Sequence, residues 1–455
     1  MKIIPNFSIA KMSVAGLLMA FLFSGSIVAQ KRSLTLKDAI TYALENKSDA
    51  KKSRLQIENS QYQIEEVRSR ALPQISATGS LMYNPILQLN AIDASAFGGG
   101  SGVLLAALGQ KWSSTAGLNL TQNIFDQSIF TGLKAAKTTR EFYQVNAQLT
   151  DEQVIERVAN NYYNVYVQRQ KLTVVDSNYV NTSKVKNIIK GQYDNGLAKK
   201  IDLDRIMVKL YNIDTQRQQL KNAVQLQENT LKFYMGMPIA TPIELPVTEF
   251  ELSPQILGET PDATQRTDYI LLKTQEKLLE YQKKAVQAGY YPTLALTAGY
   301  NYIGQGPEMP WFKPTADKVY WSDYSSIGLN LHIPIFTGFG TRAKVRQADV
   351  DLRKLEEDMK DTKLSLELAY ENSRTQIDNS IVTINNQKQN LKLAQEVLDD
   401  TKNNYYNGLA SLTDLLDGEN SLVEAQNNYT SALLDYRLAE IQLIKAKGEL
   451  KTLIN

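Results

Sequence analysis

The feature that most limits how this chain can fold is that it is written twice. "RALPQISATGSLMYN" at 70–84 answers to "YYPTLALTAGYNYIG" at 290–304, "AGLNLTQNIFD" at 116–126 to "IGLNLHIPIFT" at 327–337, and "YDNGLA" at 193–198 to "YYNGLA" at 405–410. Pro73 and Pro292 lie 219 residues apart, Leu118 and Leu329 lie 211 apart, and Gly196 and Gly408 lie 212 apart. One supersecondary plan must therefore serve both halves, with small differences in loop length. The first repeat reads 30–263: a helix, strands near 74–84 and 112–126, a long helix, a tip at 193–202, a second helix and a linker over 237–263. The second reads 264–455, with strands near 292–303 and 325–336 and its tip at 405–414.

The helical parts follow a seven-residue pattern. After the second tip, Leu422, Ala425, Tyr429, Ala432, Tyr436, Ala439, Leu443, Ala446 and Leu450 alternate steps of three and four, which is a coiled-coil seam. Alanines between large residues let a neighbouring helix come close. Before that tip the matching seam is Leu364, Leu368, Ile377, Ile381, Ile384, Leu391 and Leu398; in the first repeat it is Leu210, Ile213, Leu220, Val224, Leu231 and Tyr234, interrupted by Arg217 and Gln227. Beyond Gly340 the chain runs to Asn404 without proline or glycine, and roughly 65 residues at ~1.5 Å each make a rod of about 100 Å. Leu133 to Lys190 matches it. Paired rods of that length suit a device that bridges two membranes better than an enzyme domain.

The strand segments alternate. Ile75, Ala77, Gly79, Leu81 and Tyr83 face one way and Gln74, Ser76, Thr78, Ser80 and Met82 the other; Leu294, Leu296, Ala298, Tyr300 and Tyr302, and Leu329, Leu331, Ile333 and Ile335, repeat the theme. Segments of about ten residues with one apolar face have the period of transmembrane barrel strands, and a soluble sandwich would alternate in the same way. Tyr83, Tyr300 and Tyr302 at one end of the first strands favour a bilayer with an aromatic girdle. Four strands cannot close a barrel, which needs about eight or more. Several chains must therefore pool their strands. The connections 86–111 and 304–323 are long and rich in Gly or Pro, as outward-facing loops are.

Export is indicated by the start of the chain, where Lys2 and Lys11 precede an apolar run from Met12 to Val28 and Ala29 follows it, the pattern of a cleaved signal peptide over 1–29. That leader holds two of the 50 basic side chains and none of the 48 acidic ones, so the mature chain is formally neutral. Neutrality argues against a nucleic-acid partner. Zero cysteines exclude disulfides, thiolate metal sites and an acylated N-terminal cysteine. No later run reaches the ~20 apolar residues of a spanning helix, so contact with a bilayer must be made by strands.

These features together, duplicated helix–strand–strand–helix units and paired Y-x-N-G-L-A-x-x-x-D breaks in a signal-bearing chain, resemble the TolC family of outer-membrane efflux proteins over essentially all of the mature sequence. The resemblance implies an α+β membrane protein: a homotrimer in which each chain gives four strands to a shared twelve-stranded barrel in outer-membrane lipid, continued by a periplasmic α-helical tunnel. It also implies a passive gated exit duct that works with a periplasmic membrane-fusion adaptor and an energised inner-membrane transporter.

Gly196 and Gly408 are expected to end the rods in left-handed conformation, with Leu197 and Leu409 covering the hairpin tips where the adaptor makes contact. The resemblance makes Asp414 and Asp417 acidic rings at the tunnel entrance, where like charges could raise their pKa values. Tyr405 and Asp202 match positions that hold the entrance shut through hydrogen bonds, while Asp202 and Asp414 can also be read as helix-start residues that stabilise the dipole and free N–H groups, a reading of equal weight for Asp202. Ala410 replaces an arginine that shares this latch elsewhere, leaving Lys199 or Lys200 as substitutes.

No G-x-x-x-x-G-K-[ST] and no H-E-x-x-H occurs; the glycines of "FGGGSG" at 97–102 read as a flexible loop, and His332 stands alone on the polar face of a strand. No cofactor and no enzymatic activity are expected. The competing class is a soluble periplasmic coiled-coil adaptor, against which the paired strands in both halves count.

Overall fold

The computed structural model describes residues 33–93, 95, 98, 100–246, 261–311 and 318–454. The leader expected at 1–29 lies outside them, as do residues 247–260 of the expected linker. The elements are α1 (Leu36–Asn46), α2 (Ser48–Ser69), β1 (Gln74–Tyr83), β2 (Leu89–Asp93), β3 (Val103–Ala107), β4 (Trp112–Phe125), α3 (Gln127–Asp194), α4 (Lys200–Met235), α5 (Thr267–Gln287), β5 (Thr293–Gly306), β6 (Tyr320–His332), α6 (Gly340–Tyr406) and α7 (Leu412–Lys447). The 68 residues of α3 and 67 of α6 make rods of about 100 Å at ~1.5 Å per residue. Among the described residues no helix is long and apolar enough to cross a membrane.

Each rod is flanked by two shorter helices laid end to end, α2 with α4 along α3 and α5 with α7 along α6. Their junctions are built alike. Gly236 and Gly448 end α4 and α7 at φ 71° and 79°, and the following amides close each turn, Met237 N to Lys232 O at 2.8 Å and Glu449 N to Ile444 O at 2.9 Å. The cation that opens the adjoining helix adds a second donor to a carbonyl of each last turn: Lys47 Nζ donates to Phe233 O at 3.0 Å and the buried Arg266 guanidinium donates to Lys445 O. Positive charge at a helix C-terminus meets the negative end of its dipole, so the two short helices act as one interrupted rod.

A Cβ at Gly236 would sit 2.8 Å from Asn46 O, whereas one at Gly448 would meet only the flexible Arg266 side chain at 3.2 Å. Gly236→Ala should therefore lower the thermal midpoint by an amount equivalent to about 2 kcal/mol or more, and Gly448→Ala by clearly less. Equal midpoints for the two variants would mean that the junctions are not packed in this way.

The waist of the molecule holds the largest core, in which Ala39, Ile40 and Ala43 of α1 meet Ile155, Val158, Ala159 and Tyr162 of α3, Leu231 and Met235 of α4, and Ile441 of α7. Tyr162 donates to Leu34 O at 3.0 Å, and Leu34 N donates to Glu244 O at 2.7 Å. The start of the described chain is thus tied to the middle of α3, and Leu450, Leu453 and Ile454 at its other end pack on the same core. The α7 seam is packed as its spacing predicts, with Ala432, Tyr436, Ala439, Leu443 and Ala446 against Tyr370, Ile377 and Ile384 of α6. The helix stops at Gly448, so Leu450 is buried from a short 3-10 turn. Leu364 and Leu368 are a correction: they are 65% and 61% exposed, and Leu355, Met359 and Tyr370 occupy the buried line instead. A seam read backwards from Ile377 in steps of seven reaches Tyr370, which leaves Leu364 and Leu368 on a different face. The polar interruptions of the α4 seam are answered from α3, Arg217 by Asp176 and Gln227 by Asn161 Oδ1 at 3.0 Å.

Four of the strands form an antiparallel sheet in the order β1-β4-β5-β6, and β2 and β3 pair separately. β1 keeps its expected limits; β6 starts earlier than expected and ends at His332, paired with Thr293, although apolar alternation continues to Ile335. Pro334 has no N–H for a ladder and the partner strand begins just after Pro292, so pairing stops there. The connection expected as an open loop at 86–111 carries the β2–β3 hairpin.

Register decides the faces. Ile75 opposes Leu120, Leu120 opposes Ala298 and Ala298 opposes Ile327, and Ala77, Leu118, Tyr300 and Ser325 form the next such row. Side chains alternate along a strand, so the apolar sets of all four strands share one face and Thr78, Asn119, Asn301, Asn330 and their neighbours share the other. Polar contacts on that second face include Asn119 Nδ2 to Thr78 Oγ1 at 3.2 Å and Asn330 Nδ2 to Thr297 Oγ1 at 3.1 Å. At the rim away from the helices the apolar face gathers all three tryptophans: Trp112 against Tyr83 with ring centroids 4.6 Å apart, Trp321 stacked on Tyr302 at 4.9 Å, and Trp311 donating to Ser114 Oγ at 2.6 Å. At the helix-proximal rim Phe125 and Phe130 meet at 6.3 Å and Phe336 and Phe339 at 5.4 Å. An apolar band bounded on both sides by aromatics has the layering that barrel walls present to lipid.

Candidate functional site

At the far end of the rods the two breaks adopt one geometry. Gly196 and Gly408 have φ 74° and 75°; Leu197 N closes on Gln192 O at 2.7 Å and Leu409 N on Asn404 O at 2.8 Å. Asn195 and Asn407 bond back to Gly191 O and Asn403 O at 2.7 and 2.9 Å. This is the Schellman ending that N-G sequences allow, because glycine takes the left-handed backbone at no steric cost. Leu197 and Leu409 do not cover the tips: they are 81% and 79% exposed. The reversal leaves them at the apex with no chain beyond to pack on, while Ile189, Ile206 and Leu412 close the core between the hairpins, joined by Val185, Ala198, Leu203, Tyr405 and Leu416.

The acidic residues divide by partner. Asp414 forms a capping box with Ser411: its Oδ2 accepts from Ser411 N at 2.8 Å and from Ser411 Oγ at 2.7 Å, while Asp414 N donates to Ser411 Oγ at 3.2 Å. Those bonds, the hydroxyl first and the amide second, hold the Asp414 carboxyl below the usual carboxylate range. This corrects, within one chain, the expectation of a raised value. Asp417 lies one turn on, exposed like Asp414 and on the same helix face. Asp202 is in the first turn of α4, 4.0 Å from Arg205. Tyr405 is half-buried beside it; burial, and then the Asp202 charge, push its phenol up. No hydrogen bond joins Tyr405 to Asp202.

Among the described residues Lys199 and Lys200 find no ion-pair partner, and both stand exposed. The polar contacts between hairpins come from further along α4: Arg205 Nη1 donates to Thr413 Oγ1 at 3.5 Å, and Lys209 donates to Asn420 Oδ1. Behind them Glu419 is buried, accepting from Thr182 Oγ1 of α3 at 3.4 Å, and Thr182 also bonds Asn178 Oδ1 at 3.2 Å. Burial pushes the Glu419 carboxyl up, against the opposing pull of Lys209, the Thr182 bond and Lys402. Burial lowers Lys209, and Glu419 and Asp417 oppose that. Sequence reasoning missed this cluster, because no local pattern marks it. Extending the α7 seam four back from Leu422 lands on Gly418, packed on Leu398, so Glu419 lies beside the seam and only the approach of α3 and α4 buries it.

The family model described as "Outer membrane efflux protein" matches residues 39–237 and 273–449. Over 413 residues the chain is 25% identical to the outer membrane protein TolC of Escherichia coli, covering 85% of this chain and 76% of that protein. It is 23% identical over 445 residues to the outer membrane efflux protein BepC of Brucella suis, covering 95% and 89%. Among solved structures, the outer membrane protein VceC from Vibrio cholerae superposes with a TM-score of 0.69 at 18% identity, covering 91% of this chain and 96% of that one. The CmeC outer membrane channel of Campylobacter jejuni also superposes with a TM-score of 0.69 at 18% identity, covering 98% and 94%.

Proposed function

The chain belongs to the outer membrane efflux protein family, and from that premise we propose that it is the passive, gated exit duct of a tripartite efflux or secretion system. It is an outer-membrane protein whose helices form a periplasmic tunnel. The observation that carries the duct reading is the sheet: one face gathers the apolar side chains of all four strands, its one carboxylate among the described residues, Asp323, being held by Tyr300 OH at 2.9 Å near the outer rim, with aromatics at both rims and two free edges, β1 and β6. Unpaired edges in lipid are costly, so closure requires other copies, and three chains of four strands give a twelve-stranded wall around the polar face.

At the opposite end the exposed Leu197 and Leu409 offer two apolar knobs per chain to a helical adaptor, which in turn joins an energised inner-membrane transporter. Asp414 and Asp417 line the entrance in this reading, with Tyr405 and Asp202 beside them where the two hairpins meet. Each acid becomes a threefold ring that attracts cations. A detergent-extracted oligomer in a planar bilayer should conduct with cation preference, and Asp414→Asn with Asp417→Asn should weaken that preference or raise conductance. Unchanged selectivity would remove the two residues from the entrance. Release of the chain as a soluble monomer by osmotic shock would replace the duct by a soluble adaptor.

A further inference from the structure

We propose that the two helices leaving the sheet, α3 and α6, carry a basic collar that binds the anionic phospholipid headgroups of the inner leaflet of the outer membrane; this rests on the duct reading, in which the bilayer encloses the sheet. The helix-proximal rim is the periplasmic one, and three layers follow one another there. The apolar strand face ends in Ile333 and Ile335, 57% and 94% exposed. Next come the exposed rings of Phe125, Phe130, Phe336 and Phe339. Within the first three turns of the helices that follow stand Lys134 and Lys137 on α3 and Arg342, Lys344 and Arg346 on α6, all exposed.

The only acid at the start of these helices is Asp126, the cap of α3, whose carboxylate accepts from Ser128 N at 2.8 Å. α3 has no Asp or Glu before Glu141, and α6 none before Asp349, which is already paired with Lys283 at 2.5 Å. Among the described residues none of the five cations makes an ion pair, although ion pairs are frequent elsewhere on α6, at Lys354, Lys360, Lys363 and Lys392. The helices that enter the sheet are mixed in charge: α2 and its cap carry Glu65 and Glu66 with Arg68 and Arg70, Glu66 being paired with Arg70 at 3.2 Å, and α5 carries Glu280 with Lys283 and Lys284. The first turns of α3 and α6 are instead purely basic, at the positive ends of their dipoles. The long stems of Lys and Arg can lie along the Phe layer while their heads reach outward to phosphate. Apolar band, aromatics and unpaired cations in that order match hydrocarbon, interface and anionic headgroup.

The test uses the full-length oligomer in an uncharged detergent and reads its thermal midpoint with phosphatidylglycerol, phosphatidylcholine or inorganic phosphate added at fixed ionic strength. Phosphatidylglycerol should raise the midpoint, and the other two should not. In the variant with Lys134, Lys137, Arg342, Lys344 and Arg346 all changed to Gln, that gain should fall to less than half, while exchanging Lys and Arg at the same five positions should keep it. If the neutral variant does not assemble, Lys134→Gln with Lys137→Gln alone should still reduce the gain. Equal gains from the two lipids, a full gain in the neutral variants, or an equal effect of inorganic phosphate would overturn the collar. An oligomer that needs no detergent would defeat the duct reading itself, whereas a detergent-requiring one indifferent to lipid charge would defeat only the collar.

Discussion

Ile327→Arg is expected to abolish recovery of the membrane-inserted oligomer, while Ser326→Arg, one residue earlier on β6, should assemble almost normally. Both positions lie near the middle of the strand and both are exposed in the single chain. Register separates them. Ile327 opposes Ala298 on the face that also holds Ile75 and Leu120, whereas Ser326 opposes Gly299, flanked by Asn119 and Asn301, on the polar face. An arginine on the lipid side at mid-depth costs about 2–4 kcal/mol, and a threefold assembly bears that cost three times; on the lumen side water solvates the charge. Gel mobility of unheated detergent extracts reads the oligomer directly. Assembly of both variants, or equal failure of both, would mean that the faces are assigned wrongly.

The contrast between neighbouring residues shows which parts of the fold sequence could reveal. β1 was legible to its ends because Pro73 fixes its start and the period of two is clean. The α7 seam was legible because Ala and Tyr alternate in steps of three and four and no other face competes. On α6 two faces carry leucine, and periodicity alone assigned Leu364 and Leu368 to the buried one. Only the positions of α5 and α7 select Leu355, Met359 and Tyr370. The helix junctions were not readable locally. Lys47 and Arg266 cap carbonyls 186 and 179 residues away, and neither uses the Ser, Thr, Asp or Asn signal by which helix ends are usually found. At the tips the glycine turns and the Ser411 capping box follow from short-range rules, since all partners lie within five residues. The burial of Glu419 does not, because α3, α4 and α6 must first converge on α7.

Glu419→Gln should hold the tips closed more firmly than the natural residue at neutral pH, and should remove a pH dependence that the natural protein shows. Glu419 sits among Thr182 and Asn178 of α3, Lys209 of α4, Lys402 of α6 and Asp417 of its own helix. Burial raises its pKa, so the packed tip favours the protonated acid relative to an opened tip in which water reaches it. Its contribution to closure is therefore fully present below the ordinary glutamate range and is lost as pH rises through the raised value. Asp414 does not imitate this, because Ser411 holds its carboxyl below that range.

Glutamine keeps an oxygen for the Thr182 hydroxyl and discards the buried charge, and Lys209, half-buried, keeps Asn420 and Asp417 within reach. A gain of about 1 kcal/mol per chain is the expected scale. That is roughly fivefold in the opening equilibrium of one hairpin pair, and about a hundredfold where three must release together. Conductance of the reconstituted oligomer should fall in the natural protein as pH is lowered from neutrality towards the ordinary glutamate range. In the Glu419→Gln variant it should be low at neutrality and at the lower pH alike. A variant that conducts more than the natural protein at neutral pH would show instead that the Lys209–Glu419 attraction outweighs the cost of burying the carboxylate, and that the pair is a clamp whose loss opens the entrance.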